Sequence, residues 1–189
     1  MHNILPAYLL RTSDSESLQQ FNTISRIDKD AKQYVVGCFK GDITQHQLIS
    51  YKHRYRHNIK WFTRKGTSAN KYFSYRIRTA NQPIYVIEGH RDKLTALLLG
   101  LDFIMIPYAG FQLKNTDAFK QLIANRKVVY IVEDKHAFKC MSNIALSTES
   151  VTEQTILWQP KRGEKMDLTD LAYQHNTIVE VLNALQSIE

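Results

Sequence analysis

Carboxylate side chains follow two apolar runs of the sequence that have the character of buried strands. Glu88 comes directly after the run at 84–87, and Glu133 and Asp134 come directly after the run at 128–132. Ligands of an open parallel sheet gather at the carboxyl ends of its strands, so these three side chains share one crevice if the two strands are neighbours. Carboxylate oxygens suit Mg²⁺ or Mn²⁺, which retain waters and bridge to phosphates. The spacing predicts a divalent-cation site, with solvated strand-end acids as the alternative interpretation.

The elements that must position these acids are indicated by the pattern that begins at Pro83. Four short apolar runs alternate there with stretches of helical periodicity, at 84–87, 103–106, 128–132 and 155–158. Strands that are apolar on both faces and separated by helices indicate the α/β class, with a parallel sheet flanked by helices. Short β-rich runs separated by polar turns precede them and predict a small antiparallel sheet. Those runs lie at 34–39, 47–51 and 58–62.

The positive charge of the 189-residue chain is concentrated in one quarter of it. The formal net charge is +7, residues 1–42 carry no net charge, and residues 88–189 carry −2. From Ile43 to Ile87 there is no Asp or Glu, and the nine bases are Lys52, Arg54, Arg56, Lys60, Arg64, Lys65, Lys71, Arg76 and Arg78. We expect this basic segment to bind a polyanion. The alternative interpretation is a solvated face, which the absence of acids over this length disfavours.

Aromatic residues are interleaved with these bases. Cations neutralise phosphates and aromatic faces stack on unpaired bases, so the mixture favours single-stranded DNA or RNA as the partner. Some of the rings must instead form the core of the small sheet, and we assign Trp61 as a nucleic-acid contact. The eight aromatic residues are Tyr51, Tyr55, Trp61, Phe62, Tyr72, Phe73, Tyr75 and Tyr85.

Several other classes of protein are disfavoured. The sequence has no G-x-x-x-x-G-K-[ST] loop for a built-in ATPase motor, and Cys38 and Cys140 are too few for a four-cysteine zinc site. No apolar run approaches the roughly 20 residues of a membrane-spanning helix, and the N-terminal residues lack the basic region of a signal peptide. We therefore expect a cytoplasmic protein with no membrane partner.

The segment from Ile84 to Gly100 resembles the glutamate motif of Toprim domains. That motif is an apolar strand, then Glu-Gly-x-x-Asp, here Glu88-Gly-His-Arg-Asp92, then a helix ending in glycine. The residues 107–110, Pro-Tyr-Ala-Gly, are similar to the glycine-containing turn after the second strand of the family. The residues 128–137 fall where the family has an apolar strand that ends in Asp-x-Asp. The resemblance covers about residues 83–160 and implies a Toprim-like parallel sheet.

The basic segment at about 33–82 resembles the part of bacterial and phage or plasmid-type DNA primases that precedes the Toprim domain. Residues 65–68, Lys-Gly-Thr-Ser, ahead of Lys71-Tyr-Phe73, are similar to a Gly-Ser-type turn of those primases. We therefore predict an N-terminal helical lead-in at 1–32, a basic β-rich subdomain at 33–82, and a Toprim-like domain with C-terminal helices at 83–189. The resemblance implies a role in DNA replication, as in a phage or other mobile element.

The resemblance also implies roles for single residues. Glu88 matches the glutamate proposed to act in acid–base chemistry and to contact metal, and Asp92 matches an aspartate that orients basic neighbours, so both are candidate catalytic residues. The Asp-x-Asp pair is degraded in either register, since one places Glu133 and Lys135 on it and the other places Asp134 and His136. A lysine ammonium cannot ligate a cation.

A further segment, Lys165-Met-Asp167-Leu-Thr-Asp170, resembles the Lys-Asp-x-x-Asp segment that follows the Toprim core of phage primases. The alternative interpretation of Asp167 is an ordinary helix N-cap. It is therefore a minor candidate beside the strand-end acids.

Three functions are compatible with the resemblance. The first is a primase-like nucleotidyltransferase, in which Mg²⁺ or Mn²⁺ held by Glu88 and by Glu133 or Asp134 binds an incoming nucleoside triphosphate, with a replicative helicase on another chain as a partner. The second is a binding module whose metal site has decayed, which Lys135 favours. The third is a metal-dependent Toprim nuclease.

Overall fold

The computed structural model describes residues 4–28, 30, 32–45, 47–55, 71–108, 110–113, 116–159 and 165–187. Its helices are α1 (Ala7–Thr12), α2 (Ser15–Ile24), α3 (Gly89–Leu98), α4 (Thr116–Ile123), α5 (Lys135–Thr148), α6 (Leu168–Tyr173) and α7 (Ile178–Gln186). Its strands are β1 (Ser25–Asp28), β2 (Gln33–Phe39), β3 (Gly41–Asp42), β4 (Leu48–Tyr55), β5 (Ser74–Arg76), β6 (Ile84–Glu88), β7 (Asp102–Ile106), β8 (Lys127–Ile131) and β9 (Gln154–Trp158).

Six strands form the larger sheet, in the order β3-β5-β7-β6-β8-β9. β6 is parallel to β7 and to β8, and β8 is parallel to β9, whereas β5 pairs antiparallel with β7 at the edge. The four parallel strands are the four apolar runs singled out in the sequence. The predicted α/β class, with a mainly parallel sheet flanked by helices, is confirmed.

The smaller sheet is antiparallel and has the order β1-β2-β4. β2 contains the predicted run at 34–39, and β4 contains residues 48–51 of the predicted run at 47–51. The predicted run at 58–62 lies outside the described residues. Two other strands of the predicted subdomain at 33–82, β3 and β5, pair with each other at the edge of the larger sheet. The proposed domain limits at 32 and 82 therefore stay predictions.

The larger sheet has a hydrophobic core on each face. Along β6, Tyr85 and Ile87 pack with α3, α6, α7 and the small sheet, while Ile84 and Val86 pack with α4 and α5. Alternate residues of a strand point to opposite faces, so a strand covered on both sides must be apolar throughout. Each fully buried aliphatic side chain of this kind contributes about 1.5–3 kcal/mol. Of the helices that the structure describes, none is both long and apolar enough to span a membrane.

Candidate functional site

The two strands that end in acids are neighbours. β6 pairs in parallel with β8, with Ile84 opposite Val128 and Val86 opposite Tyr130. The carboxyl ends of both strands therefore meet at one edge of the sheet, and Glu88 and Glu133 follow them there. The neighbouring arrangement that the cation-site prediction required is present.

Glu88 is the last residue of β6 and is half-buried. The following residue, Gly89, has φ of +82°, a left-handed conformation that glycine adopts without strain. A Cβ built at Gly89 meets no atom within 4 Å, so the backbone angle, and not space, requires glycine there. Burial raises the pKa of the Cys140 thiol on α5, and the charge of Glu88 adds to this rise. Glu88 is thus close enough to α5 for its charge to act there.

A lysine neutralises the acids that follow β8. The Lys165 ammonium lies 2.9 Å from a Glu133 carboxylate oxygen and 3.6 Å from an Asp134 carboxylate oxygen. The hydrogen bond to Glu133 and the charges of both acids raise the pKa of Lys165. Asp134 also caps α5, because one of its oxygens accepts hydrogen bonds from the N–H groups of His136 and Ala137 at 2.8 and 2.9 Å. These bonds, together with Lys165, lower the pKa of Asp134.

The roles of Glu88, Glu133 and Asp134 as metal ligands stay predictions. Among the described residues, no group of three or more His, Cys, Asp or Glu side chains is placed to hold a metal. Lys165 already contacts Glu133 and Asp134, and its charge would repel a second cation. Lys135 and His136 are exposed in the first turn of α5 and line a cavity beside it.

Asp92 lies inside the protein, where its side chain anchors α6. It is 2% exposed and accepts hydrogen bonds from the Leu168 N–H, the Thr169 N–H and the Thr169 hydroxyl at 3.1, 3.0 and 2.7 Å. Burial raises the pKa of Asp92 well above its usual value, the nearby Asp167 carboxylate adds to the rise, and the three hydrogen bonds oppose it. The Asp92 carboxylate therefore positions the first residues of α6.

The residue before it, Arg91, binds the same segment through two carboxylates. Its guanidinium contacts Asp167 and lies 2.8 Å from Asp170. Burial alone would lower the pKa of Arg91, but the charges of the two acids outweigh it and raise the pKa. Asp167 is also the N-cap of α6 and forms a reciprocal capping box with Asp170. The glutamate-motif segment and the 165–170 segment are therefore joined in space.

Two of the predicted nucleic-acid contacts, Lys52 and Arg54, lie beside this motif. They pair with Val36 and Tyr34 in the smaller sheet, and residues directly opposite on paired strands share a face. Val36 and Tyr34 belong to the core that contains α3, so both bases point toward that helix. Burial lowers the pKa of Arg54, and the charge of Arg91 lowers it further. We call Lys52, Arg54 and Arg91 the crevice cations.

Two other predicted contacts are committed to internal interactions. The Arg76 side chain is fully buried, and its guanidinium lies 3.5 Å from Glu16 and 3.4 Å from the Ser17 hydroxyl. Arg78 bonds the carbonyl oxygen of Gly100 and lies 3.4 Å from Glu16. These two arginines connect α2 to β5 and to the residues that follow it. In this arrangement Arg76 has no surface on which a strand could lie.

The remaining predicted contacts divide into two groups. Lys71 is exposed and lines a cavity beside β5. The others lie outside the described residues and stay predictions: Arg56, Lys60, Trp61, Arg64 and Lys65.

A buried lysine was missed in the sequence. Lys93 is 0% exposed, and its ammonium donates a hydrogen bond to the carbonyl oxygen of Gly37 at 2.6 Å. Burial lowers the pKa of Lys93 to about 8, with Cys38 opposing the fall. Ala96 and Leu97, three and four residues later, are buried on α3. Helical periodicity puts Lys93 on the same buried face of α3 as Ala96 and Leu97, and this is the signal in the sequence that could have identified it.

Comparison with known proteins supports the fold. No protein-family model matches the sequence, and no curated protein matches it. The structure is similar to the crystal structure of the Aquifex aeolicus primase (zinc-binding and RNA polymerase domains), with a TM-score of 0.57 and 10% sequence identity. The match covers 97% of this chain and 53% of that one, so this chain spans about half the length of the primase structure. The shared property is the fold.

Proposed function

We propose that this protein binds single-stranded nucleic acid as a Toprim-type, primase-like module of DNA replication, with the strand held by the crevice cations. The observation that carries the proposal is the position of Lys52 and Arg54 on the inner face of the smaller sheet, next to Arg91. The likeness in fold to a primase supports it, as does the glycine turn after Glu88.

The crevice cations differ in how firmly they are held. Arg91 is fixed by Asp167 and Asp170, which offset its charge. Lys52 and Arg54 come from a stretch of sequence with no acids. Phosphates placed here would release counterions from the strand, and affinity would fall steeply with salt. The bases of residues 56–65 and Trp61 extend this proposal from the sequence alone.

A binding measurement tests the proposal. We expect a fluorescein-labelled 20-nucleotide single strand to bind the full chain, with the logarithm of affinity falling linearly with the logarithm of salt. The double variant Lys52→Ala/Arg54→Ala should bind more weakly and have a salt slope smaller by about 1–2. Arg11→Ala/Lys120→Ala removes one arginine and one lysine elsewhere and should match the wild type. Equal affinity of the two double variants would refute the crevice as the binding surface.

Metal-dependent nucleotidyl transfer is the second candidate, because β6 and β8 bring Glu88 and Glu133 to one edge. Nucleoside triphosphates, Mg²⁺ or Mn²⁺ and a replicative helicase belong to this candidate. A primer-synthesis assay on a single-stranded template with labelled nucleotides and Mn²⁺ tests it, with Glu88→Gln as the inactive control. The same gel reports cleavage of the template, which would indicate a nuclease instead.

A further inference from the structure

Two cavities lie on the other side of the larger sheet from the crevice cations, and they share a wall. The first has a volume of about 580 Å³ and lies between β5 and α4. The second has a volume of about 530 Å³ and lies against α5. Phe111 and Leu113 line both. Volumes of this size fall within the range of pockets that hold small organic ligands.

The first cavity is rich in aromatic faces, held in place by their neighbours. Phe73 packs edge-on against Phe119 at 5.5 Å between ring centroids and lies 6.4 Å from Tyr75. The Lys40 ammonium stands 5.2 Å from the centre of the Tyr72 ring, a cation–π contact. The residues that line it include Lys40, Lys71, Tyr72, Phe73, Tyr75 and Phe111.

The second cavity adds cations. Lys135 and Lys139 lie four residues apart on α5, so they share one face of the helix, and His136 lies beside them at the rim. The first N–H groups of α5 are already bonded by Asp134, so the cationic character comes from the side chains. Gln112 and Asn143 provide amide groups in the same lining.

The charge of the lining is of one sign. No Asp or Glu is among the described residues that line either cavity. None of the residues that the structure describes forms an ion pair with Lys71, Lys135 or Lys139. Lysines that have no ion-pair partner and lie beside aromatic rings favour a ligand that combines a negative charge with a flat ring. We call the two cavities together the lysine–aromatic tract.

We infer that the lysine–aromatic tract binds an unpaired nucleotide, with its base among the aromatic rings and its phosphate on the lysines. The nucleotide is either free or part of a single strand. This site extends the proposed function to a second surface, since the tract packs with α4 and α5 whereas the crevice cations face α3. Its ligand requires no divalent ion, because the lysines themselves contact the phosphates.

Photocrosslinking of the full chain distinguishes the two sources of the nucleotide. One arm uses a 12-nucleotide single strand that carries 5-iodouracil, and the other uses 8-azido-ATP, both without divalent ions. Mass spectrometry of the labelled peptides should find Tyr72 or Phe111. Labelling by the strand alone identifies a strand site, and labelling by azido-ATP alone identifies a free-nucleotide site. Labelling of neither tract residue in either arm overturns the inference.

Matched variants test the same site by affinity for the ligand that labels it. Tyr72→Leu keeps an apolar side chain but removes the aromatic ring, and Lys71→Ala/Lys139→Ala removes two cations; each should weaken binding about tenfold. Phe138→Leu removes an exposed ring of α5 outside the tract, and Arg11→Ala/Lys120→Ala removes two cations elsewhere; both should bind as the wild type does. Circular dichroism verifies that each variant is folded.

The crevice variant Lys52→Ala/Arg54→Ala separates this inference from the proposed function. If wild type binds the strand, only the crevice variant is weakened and neither probe labels Tyr72 or Phe111, the tract is refuted and strand binding stands. If wild type binds no strand but azido-ATP labels Tyr72 or Phe111, the tract stands and the proposed function fails.

Discussion

Asp92 accepts hydrogen bonds from both the backbone N–H and the hydroxyl of Thr169, at 3.0 and 2.7 Å. The Thr169 hydroxyl also lies 2.7 Å from the hydroxyl of Thr95, which must be the donor because Thr169 uses its own proton on Asp92. Two residues of α3, one turn apart, therefore hold the start of α6 across more than 70 residues of sequence.

We predict that Asp92→Ala destabilises the protein by about 3 kcal/mol, since three donors would lose a buried acceptor. Chemical denaturation of both proteins gives the difference in the free energy of unfolding. The control Glu153→Ala removes an exposed acid and should change stability by about 0.5 kcal/mol or less. Similar losses for the two variants would show that the Asp92 bonds contribute little.

Lys93 should make stability rise with pH in the alkaline range. Its pKa is about 8 in the folded protein and 10.5 in its ordinary state, so between these values the unfolded chain binds more protons. The free energy of unfolding therefore gains a positive slope from about pH 8 to 10.5. Lys93→Met should lack this contribution, and the difference between the two denaturation curves, measured at several pH values, isolates it. Parallel pH profiles would contradict a depressed pKa.

Lys165 should compete with divalent ions for Glu133 and Asp134. Replacing it by methionine removes the ammonium that lies 2.9 Å from Glu133, so we expect Lys165→Met to bind Mn²⁺ more tightly than the wild type, by about tenfold. Isothermal titration measures both affinities, and Lys120→Met on α4 is the matched control. If the Lys165 variant and the control bind Mn²⁺ equally, Lys165 does not compete with divalent ions for these carboxylates.

Arg76→Met should leave strand affinity and its salt slope unchanged, although Arg76 belongs to the basic segment. Its guanidinium is buried, and its Nε and Nη1 atoms have no hydrogen-bond partner among the described residues. The partner that remains, Glu16, has a 57% exposed side chain, so no uncompensated charge is left buried and Tm should stay about equal. Anisotropy and thermal melting check both points. A salt slope reduced by about 1 would mean that Arg76 reaches a phosphate.

The sequence predicted the elements whose signal is local. The runs at 84–87 and 128–132 are apolar on both faces, and this pattern is possible only for a strand or helix buried on both sides. The sequence therefore places the acids at strand ends, and the pairing of β6 with β8 brings those ends to one edge.

What the sequence could not provide was the partner of each charged side chain. Arg76 and Lys52 have the same character in a count of charge, yet one meets Glu16, sixty residues earlier, and the other lies opposite Val36 on the face of the smaller sheet that packs toward α3. The Lys165–Glu133 pair likewise joins residues 32 apart. Side-chain pairing of this kind depends on the packing of helices onto the sheet, which periodicity alone does not encode.

Three consecutive residues of α3 connect two separate parts of the molecule, the start of α6 and β2. Arg91 contacts Asp167 and Asp170, Asp92 bonds Thr169, and Lys93 reaches back to Gly37 in β2. Successive residues of a helix are turned by about 100°, so a single turn of α3 contacts both α6 and β2. The position of β2 relative to α6 is therefore fixed by bonds to one short stretch of α3. Glu88 is the N-cap of that helix, so this acid lies at the start of the element that joins the two sheets' surroundings.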